Sequence, residues 1–169
     1  HAFVCKHAPG RTTRHQVLND VISRAFASAG IPAMKEPTGL SRSDGRRPDG
    51  MSLIPWQSGK TLTWDVTVAT TLADSYINAT ASCAGAAAES AANRKSVKYA
   101  DLPASYIFQP IAIETLGPMN DSAVEFFCEL GRRIVNNSNV DRETDFLFQR
   151  LSITMQRFNA ILLHESLVE

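Results

Sequence analysis

Three cysteines in 169 residues, Cys5, Cys83 and Cys128, are too few and too scattered for a disulfide framework. A reducing compartment, cytosol or nucleus, is therefore expected. No run of about 18 or more apolar residues occurs, so no segment reads as a membrane-spanning helix. No basic-then-apolar leader opens the chain, so no secretory signal is expected. The first residue is His1 rather than Met, and the chain is read as a piece of a longer protein. An excess of charge of either sign is also missing, because 17 basic and 17 acidic side chains cancel. That sum counts against a strongly basic nucleic-acid binder, although local patches matter more than the total. Neither a glycine-rich phosphate loop nor a Ser-His-Asp or Cys-His set stands out, which removes the usual signatures of P-loop and covalent chemistry.

What remains is a globular composition, 44% hydrophobic and 20% charged, in a length that suits one domain. Residues 13–29 carry an apolar stripe at helical spacing: Val17, Val21, Ala25 and Ala29, widened by Leu18, Ile22 and Phe26. Thr12 or Thr13 can cap this helix, and Gly30 followed by Ile31-Pro32 ends it. Turn formers fill 36–48. Two strands are expected next, at 48–54 and 61–69, joined by a hairpin turn at 57–60. The second alternates strictly, with Leu62, Trp64, Val66 and Val68 on one face and Thr61, Thr63, Asp65 and Thr67 on the other. An Ala-rich helix over 82–102 ends at Pro103. A strand follows at 106–113, and Pro110 confines it to an edge or a bulge. Helices over about 122–135 and 142–164 close the chain, the first opened by a capping-box spacing of Ser122 and Glu125. Cys83 and Cys128 are expected as small core residues within helices. The order predicts a single α/β domain with a mixed sheet.

The chemistry centres on two acids. Asp49 stands in Arg47-Pro48-Asp49-Gly50 at the start of one strand, and Asp65 in Trp64-Asp65-Val66-Thr67 in the middle of the next. A hairpin holds neighbouring strands about 5 Å apart. Two carboxylates that close repel unless a cation lies between them, and Mg²⁺ prefers such hard oxygens together with phosphate oxygens. Asp is depleted from strands, so Asp65 is the more informative of the two. The residues alone leave two readings open: a shared divalent ion, or a carboxylate salt-bridged to a neighbour at the sheet edge. On the Ala-rich helix, Ala91, Lys95, Lys98 and Leu102 share one face. Lys95 and Lys98 either reach toward the sheet or snorkel at its rim. Because they lie three residues apart, both can hardly sit beside one metal ion, and Lys95 is preferred. Basic residues also cluster at Arg11, Arg14 and His15, at Arg42, Arg46 and Arg47, and at Arg132 and Arg133, the last pair read as a solvated face. Arg42, Arg46 and Arg47 lie just before Asp49, where guanidinium groups would meet phosphates.

Pro48-Asp49 followed by Asp65-x-Thr67 in a later strand resembles the PD-(D/E)xK nuclease superfamily. The resemblance implies a restriction-endonuclease-like core of helix, three strands, helix and strand, with additional C-terminal helices. The superfamily's lysine usually lies two residues after the second acid, where this chain has Thr67. In one branch it has moved to the next helix, and Lys95-Ser96-Val97-Lys98-Tyr99 is similar to that variant. The succession Arg14-His15, Glu36-Pro37, Arg47-Pro48-Asp49, Asp65 and Lys95 to Tyr99 is closer still to the restriction-like endonuclease of site-specific non-LTR retrotransposons and related reverse-transcriptase proteins. That likeness covers roughly 1–115, and each motif is short, so only their joint order is specific. It implies 1–12 as the end of a truncated zinc-knuckle-like segment, 13–115 as the nuclease-like core and 116–169 as a helical extension packed on it.

The same resemblance implies a Mg²⁺- or Mn²⁺-dependent DNA endonuclease that nicks a target site, with the reverse-transcriptase domain of the same polyprotein as partner and the nucleus as location. Asp49 and Asp65 would be metal ligands, Lys95 and Lys98 catalytic candidates, and Glu36, His15 and Thr67 accessory residues. His1 and Cys5 resemble the last two ligands of the knuckle, so Zn²⁺ is implied only if upstream ligands exist in a longer protein. His7 and His15 fit no zinc spacing. A catalytically inactive DNA- or protein-binding module, and a scaffold domain packed on a polymerase, are the competing expectations.

Overall fold

The computed structural model describes residues 2–3, 10–40 and 45–167. The chain runs α1 (Gly10–Ser28), β1 (Ala33–Lys35), β2 (Gly50–Gln57), β3 (Lys60–Ala69), α2 (Ile77–Ser82), α3 (Ala86–Lys98), β4 (Tyr106–Glu114), α4 (Asp121–Ser138) and α5 (Glu143–Glu165). Among the described residues this is an α/β arrangement of five helices and one open, four-stranded mixed sheet in the order β1-β2-β3-β4. β1, β2 and β3 are antiparallel neighbours, and β4 returns parallel to β3. The β2–β3 turn places Ser58 and Gly59 at φ 50° and 72°, the left-handed pair that matches strand twist in a two-residue hairpin. Pro110 lies on β4, the outer strand, where a missing N–H leaves no inner ladder incomplete.

The alternation of β3 becomes two different interfaces. Leu62, Trp64 and Val66, joined by Ile111 and Ile113 of β4, meet the apolar stripe of α1, whose buried members include Leu18, Val21, Ile22, Ala25 and Phe26. Phe26 stacks on Trp64 with ring centres 4.7 Å apart, a pair that contributes about 0.5–1.5 kcal/mol beyond burial. From the C-terminal half, Phe126, Phe127, Leu130, Leu147 and Leu151 fill the same core, so α4 and α5 share it with α1. The opposite face carries Ala69 and Ala112, covered by Ala87, Ala88, Ala91 and Ala92 of α3. With no side chain beyond Cβ, these alanines let the helix lie close to the sheet. The buried Glu114, at the end of β4, anchors α3: its Oε1 accepts the N–H groups of Ala87 and Ala88 at 3.0 and 3.2 Å. That placement also complements the positive end of the helix.

Several expectations need correction. The helix expected over 82–102 is shorter, α3 at Ala86–Lys98, because the extended Cys83 and the left-handed Gly85 at φ 88° delay its start, and the short α2 ahead of it at Ile77–Ser82 is not part of the expected span. Cys83 and Cys128 are exposed rather than core residues: Cys83 follows the end of α2, and Cys128 lies on the outer face of α4. Asn120 precedes α4, so the expected start at Ser122 falls inside its first turn. No local pattern in the sequence marks β1, the third strand ahead of α2, at Ala33–Lys35. No described helix is long and apolar enough to cross a membrane.

Candidate active site

The site forms at the start of β2, where β3 continues past it. Gly50 pairs with Trp64, and the Asp49 N–H still reaches the Trp64 carbonyl at 2.9 Å, so Asp49, immediately before β2, is still bonded to β3. Beyond it β3 runs on to Ala69 with β4 on one side only. Side chains take the backbone groups left over. The Val66 N–H donates to Asp49 Oδ2 at 2.6 Å, and the Val66 carbonyl lies 3.1 Å from His15 Nε2. His15 Nε2 is also 3.0 Å from Asp49 Oδ2. Both of its partners are acceptors, so Nε2 carries the hydrogen. The hydrogen bond to Asp49 holds His15 above its ordinary pKa of 6.5, against the pull of burial.

The Asp49 backbone is fixed as firmly as its side chain. Its carbonyl accepts from Asn19 Nδ2 and from the Glu36 N–H, each at 3.0 Å. Asn19 is buried on α1, and its Oδ1 accepts from Trp64 Nε1 at 2.8 Å. Gly50 is required next to Asp49, because a Cβ there would lie 2.0 Å from the Trp64 indole. The core tryptophan thus sets the position of the acid.

Asp65 faces α3 and its side chain is only 5% exposed. Lys95 Nζ lies 2.6 Å from Oδ1 and Lys98 Nζ 3.8 Å from Oδ2. Burial, and then the charge of Asp49, lift the Asp65 carboxyl above its ordinary pKa, while Lys95 and Tyr99 pull it back. Asp49 and Asp65 are therefore within electrostatic reach of each other. The buried Tyr99 donates its hydroxyl to the Arg47 carbonyl at 3.0 Å and accepts from Lys98 Nζ at 3.2 Å. It ties the end of α3 to the loop that leads into Asp49. Two acids and two lysines leave the centre close to neutral.

Two clefts meet at His15. One, of about 610 Å³, is lined by Arg11, Arg14, Thr67 and Lys95 among others; the second, of about 420 Å³, by Asn19, Lys35, Glu36 and Asp49 among others. Asp49, Asp65, Lys95, Lys98, His15 and Thr67 are thus brought to one region. Both helix lysines reach Asp65. Glu36 pairs with Arg47 on the exposed side, and Arg46 is exposed beside it. Arg42, His1 and Cys5 lie outside the described residues. Arg133, expected on a solvated face, instead lies over the Trp56 ring at 3.7 Å. Sequence reasoning left Asn19, the buried Arg14 and its partner Asn159 without a role. Each is a polar residue at a helix position whose spacing belongs to the apolar stripe, and that mismatch was the available signal.

Among the described residues no group of three or more His, Cys, Asp or Glu side chains could hold a metal ion. The donors on hand are two carboxylates and the Val66 carbonyl, all hard oxygens of the kind Mg²⁺ and Mn²⁺ take. No protein-family model matches the chain, and no curated protein matches it.

Proposed function

We propose that this chain is a restriction-endonuclease-like domain that nicks DNA with the help of Mg²⁺ or Mn²⁺, as part of a reverse-transcriptase polyprotein working in the nucleus. The observation that carries this reading is the meeting of Asp49, Asp65 and Lys95 at the open end of β3, beside a cleft of about 610 Å³. Asp49, Asp65 and the Val66 carbonyl would hold the ion, which when bound polarises a phosphate and acidifies a water. His15 and the Val66 N–H keep Asp49 oriented. Lys95 offers an ammonium group to the charge that develops on the phosphorus oxygens, the role that Thr67 cannot take. Lys98, held by Tyr99, keeps Asp65 ionised when Lys95 turns to the substrate.

Charge balance sets an expectation for metal affinity. Two lysines already offset the two acids, so a divalent ion added alone makes the centre net positive. Binding should be weak without nucleic acid and strengthen when a phosphate joins. Calorimetric titration of Mn²⁺, with and without a duplex carrying a non-hydrolysable linkage, checks this. Tighter binding with the duplex, abolished by Asp65→Asn, is expected; equal binding in Asp65→Asn would sink the shared-site reading.

A second reading is favoured by one observation, the direct Lys95–Asp65 contact. A lysine paired with the acid does structurally what a metal would do, as in a fold kept only to bind DNA or a protein. A chain that binds duplex DNA but neither Mn²⁺ nor Mg²⁺ would be that module.

A further inference from the structure

Arg14 is 1% exposed, yet it has no carboxylate partner among the described residues. Its Nη1 donates to Asn159 Oδ1 at 3.1 Å, and its buried Nε has no partner among the described residues. Asn159, itself buried on α5, is held by a 2.6 Å hydrogen bond to the Thr115 carbonyl at the end of β4. The guanidinium is thus fixed from two elements while part of its hydrogen-bonding capacity stays unused. Burial, and then Arg11, bring its pKa down to about 10, the mark of a cation placed among too few opposite charges. It lines the 610 Å³ cleft with Arg11, His15 and Lys95, and none of the described residues in its wall is acidic. Thr12 and Thr67 add hydroxyls. Buried charges are normally paired, so this wall is built for an anion that arrives from outside.

We propose that this cleft is a phosphate-binding subsite, in which Arg14, with Arg11 and Thr67, holds a backbone phosphate of a nucleic-acid strand next to the one at Asp49 and Asp65. The phosphate chemistry follows from the cleft itself, and the choice of a strand as its source rests on the endonuclease reading above. Arg14 would supply the Nε–H and its remaining Nη hydrogens to the phosphate oxygens, while Asn159 keeps the fork from rotating. The subsite would set which phosphate lies beside Lys95, because Lys95 belongs to both places.

The test compares the parent chain with Arg14→Gln, Arg11→Gln and Thr67→Val. Binding of a labelled duplex is followed by anisotropy across a salt series in Ca²⁺, and binding of inorganic phosphate by calorimetry. Arg14→Gln should weaken duplex binding about tenfold or more and flatten the salt slope by about one unit. It should also lose phosphate binding while unfolding in urea no earlier than the parent, because it removes an uncompensated buried charge. A residue kept for structure alone would do the reverse. Should Arg14→Gln not fold, Arg11→Gln and Thr67→Val, on the accessible wall, must each weaken both ligands. A folded Arg14→Gln that binds duplex with the parent's affinity and slope would overturn the proposal. Lost phosphate binding with unchanged duplex binding would overturn its assignment to a strand. Asp65→Asn separates the two ideas, since it should lose cleavage and keep duplex binding. A parent that binds duplex through Arg14 but never cleaves would refute the endonuclease reading alone.

Discussion

Replacing Lys95 and Lys98 by methionine, singly and together, tests the construction of the centre. Asp65 is almost fully enclosed, and its two cations stand at 2.6 and 3.8 Å. At an effective dielectric of ~20 their gross attractions are about 6 and about 4 kcal/mol, before either charge is desolvated. Either lysine alone therefore keeps most of the compensation. Each single variant should lose about 1–2 kcal/mol of stability, as for a hydrogen bond to a charged group. The double variant leaves a buried carboxylate without a cation and should lose about 3–5 kcal/mol. The sum of the singles should thus fall short of the double by about 1 kcal/mol or more. The double's deficit should also depend on pH. Asp65 has a folded pKa above its ordinary 3.8, so its ionisation lowers stability as pH rises through the folded value. Without either lysine that pKa climbs further, and the deficit should shrink as the solution is acidified toward the ordinary value. Urea unfolding of the four proteins at neutral and acidic pH measures both effects. Singles that add to the double within about 0.5 kcal/mol, at every pH, would refute the shared compensation.

Other positions give separate checks. Gly50→Ala forces a methyl into the Trp64 indole and should lower stability by about 1–3 kcal/mol or more, with a shift in tryptophan emission; an unchanged melting curve would contradict the close approach. His15 has a folded pKa raised above 6.5, so its contribution is fully present below 6.5 and is lost as pH rises through the folded value. Urea midpoints of the parent should fall over that window, and those of His15→Gln should stay flat; parallel curves would remove the His15–Asp49 bond from the account.

Much of the framework was legible because the two periods of the sequence answer to two kinds of burial. The alternation of β3 is clear since Leu62, Trp64 and Val66 join the main core while, on the other face, Asp65 meets the lysines of α3 and Ala69 its alanines. Lys95 could be aimed at the sheet from its helical spacing with Ala91. Other features were hidden for physical reasons. β1 is three residues long, too short to show a period of two. The Ala-rich helix reads as starting at Ser82 because alanine favours helix everywhere, whereas the extended Cys83 and the left-handed Gly85 hold its start back to Ala86. Both lysines reach Asp65 because a rise of about 4.5 Å over three residues is less than the reach of two flexible stems. Arg14 falls one turn before Leu18, on the buried stripe, yet as an arginine next to Arg11 and His15 it looked like part of a surface patch. The pairing of α1 with α5 through Asn159 depends on residues far apart in the chain, which no local pattern carries.

The most direct test of the central claim is nicking of supercoiled plasmid by the parent chain, Asp65→Asn and Lys95→Met, in Mg²⁺ or Mn²⁺ and in a chelator. The parent should convert plasmid to the open circle only with metal. Asp65→Asn should be inactive, and Lys95→Met should be slower by on the order of 10² or more with DNA binding nearly intact. A parent that leaves the plasmid intact in both metals, or an Asp65→Asn variant that nicks at the parent's rate, would contradict it.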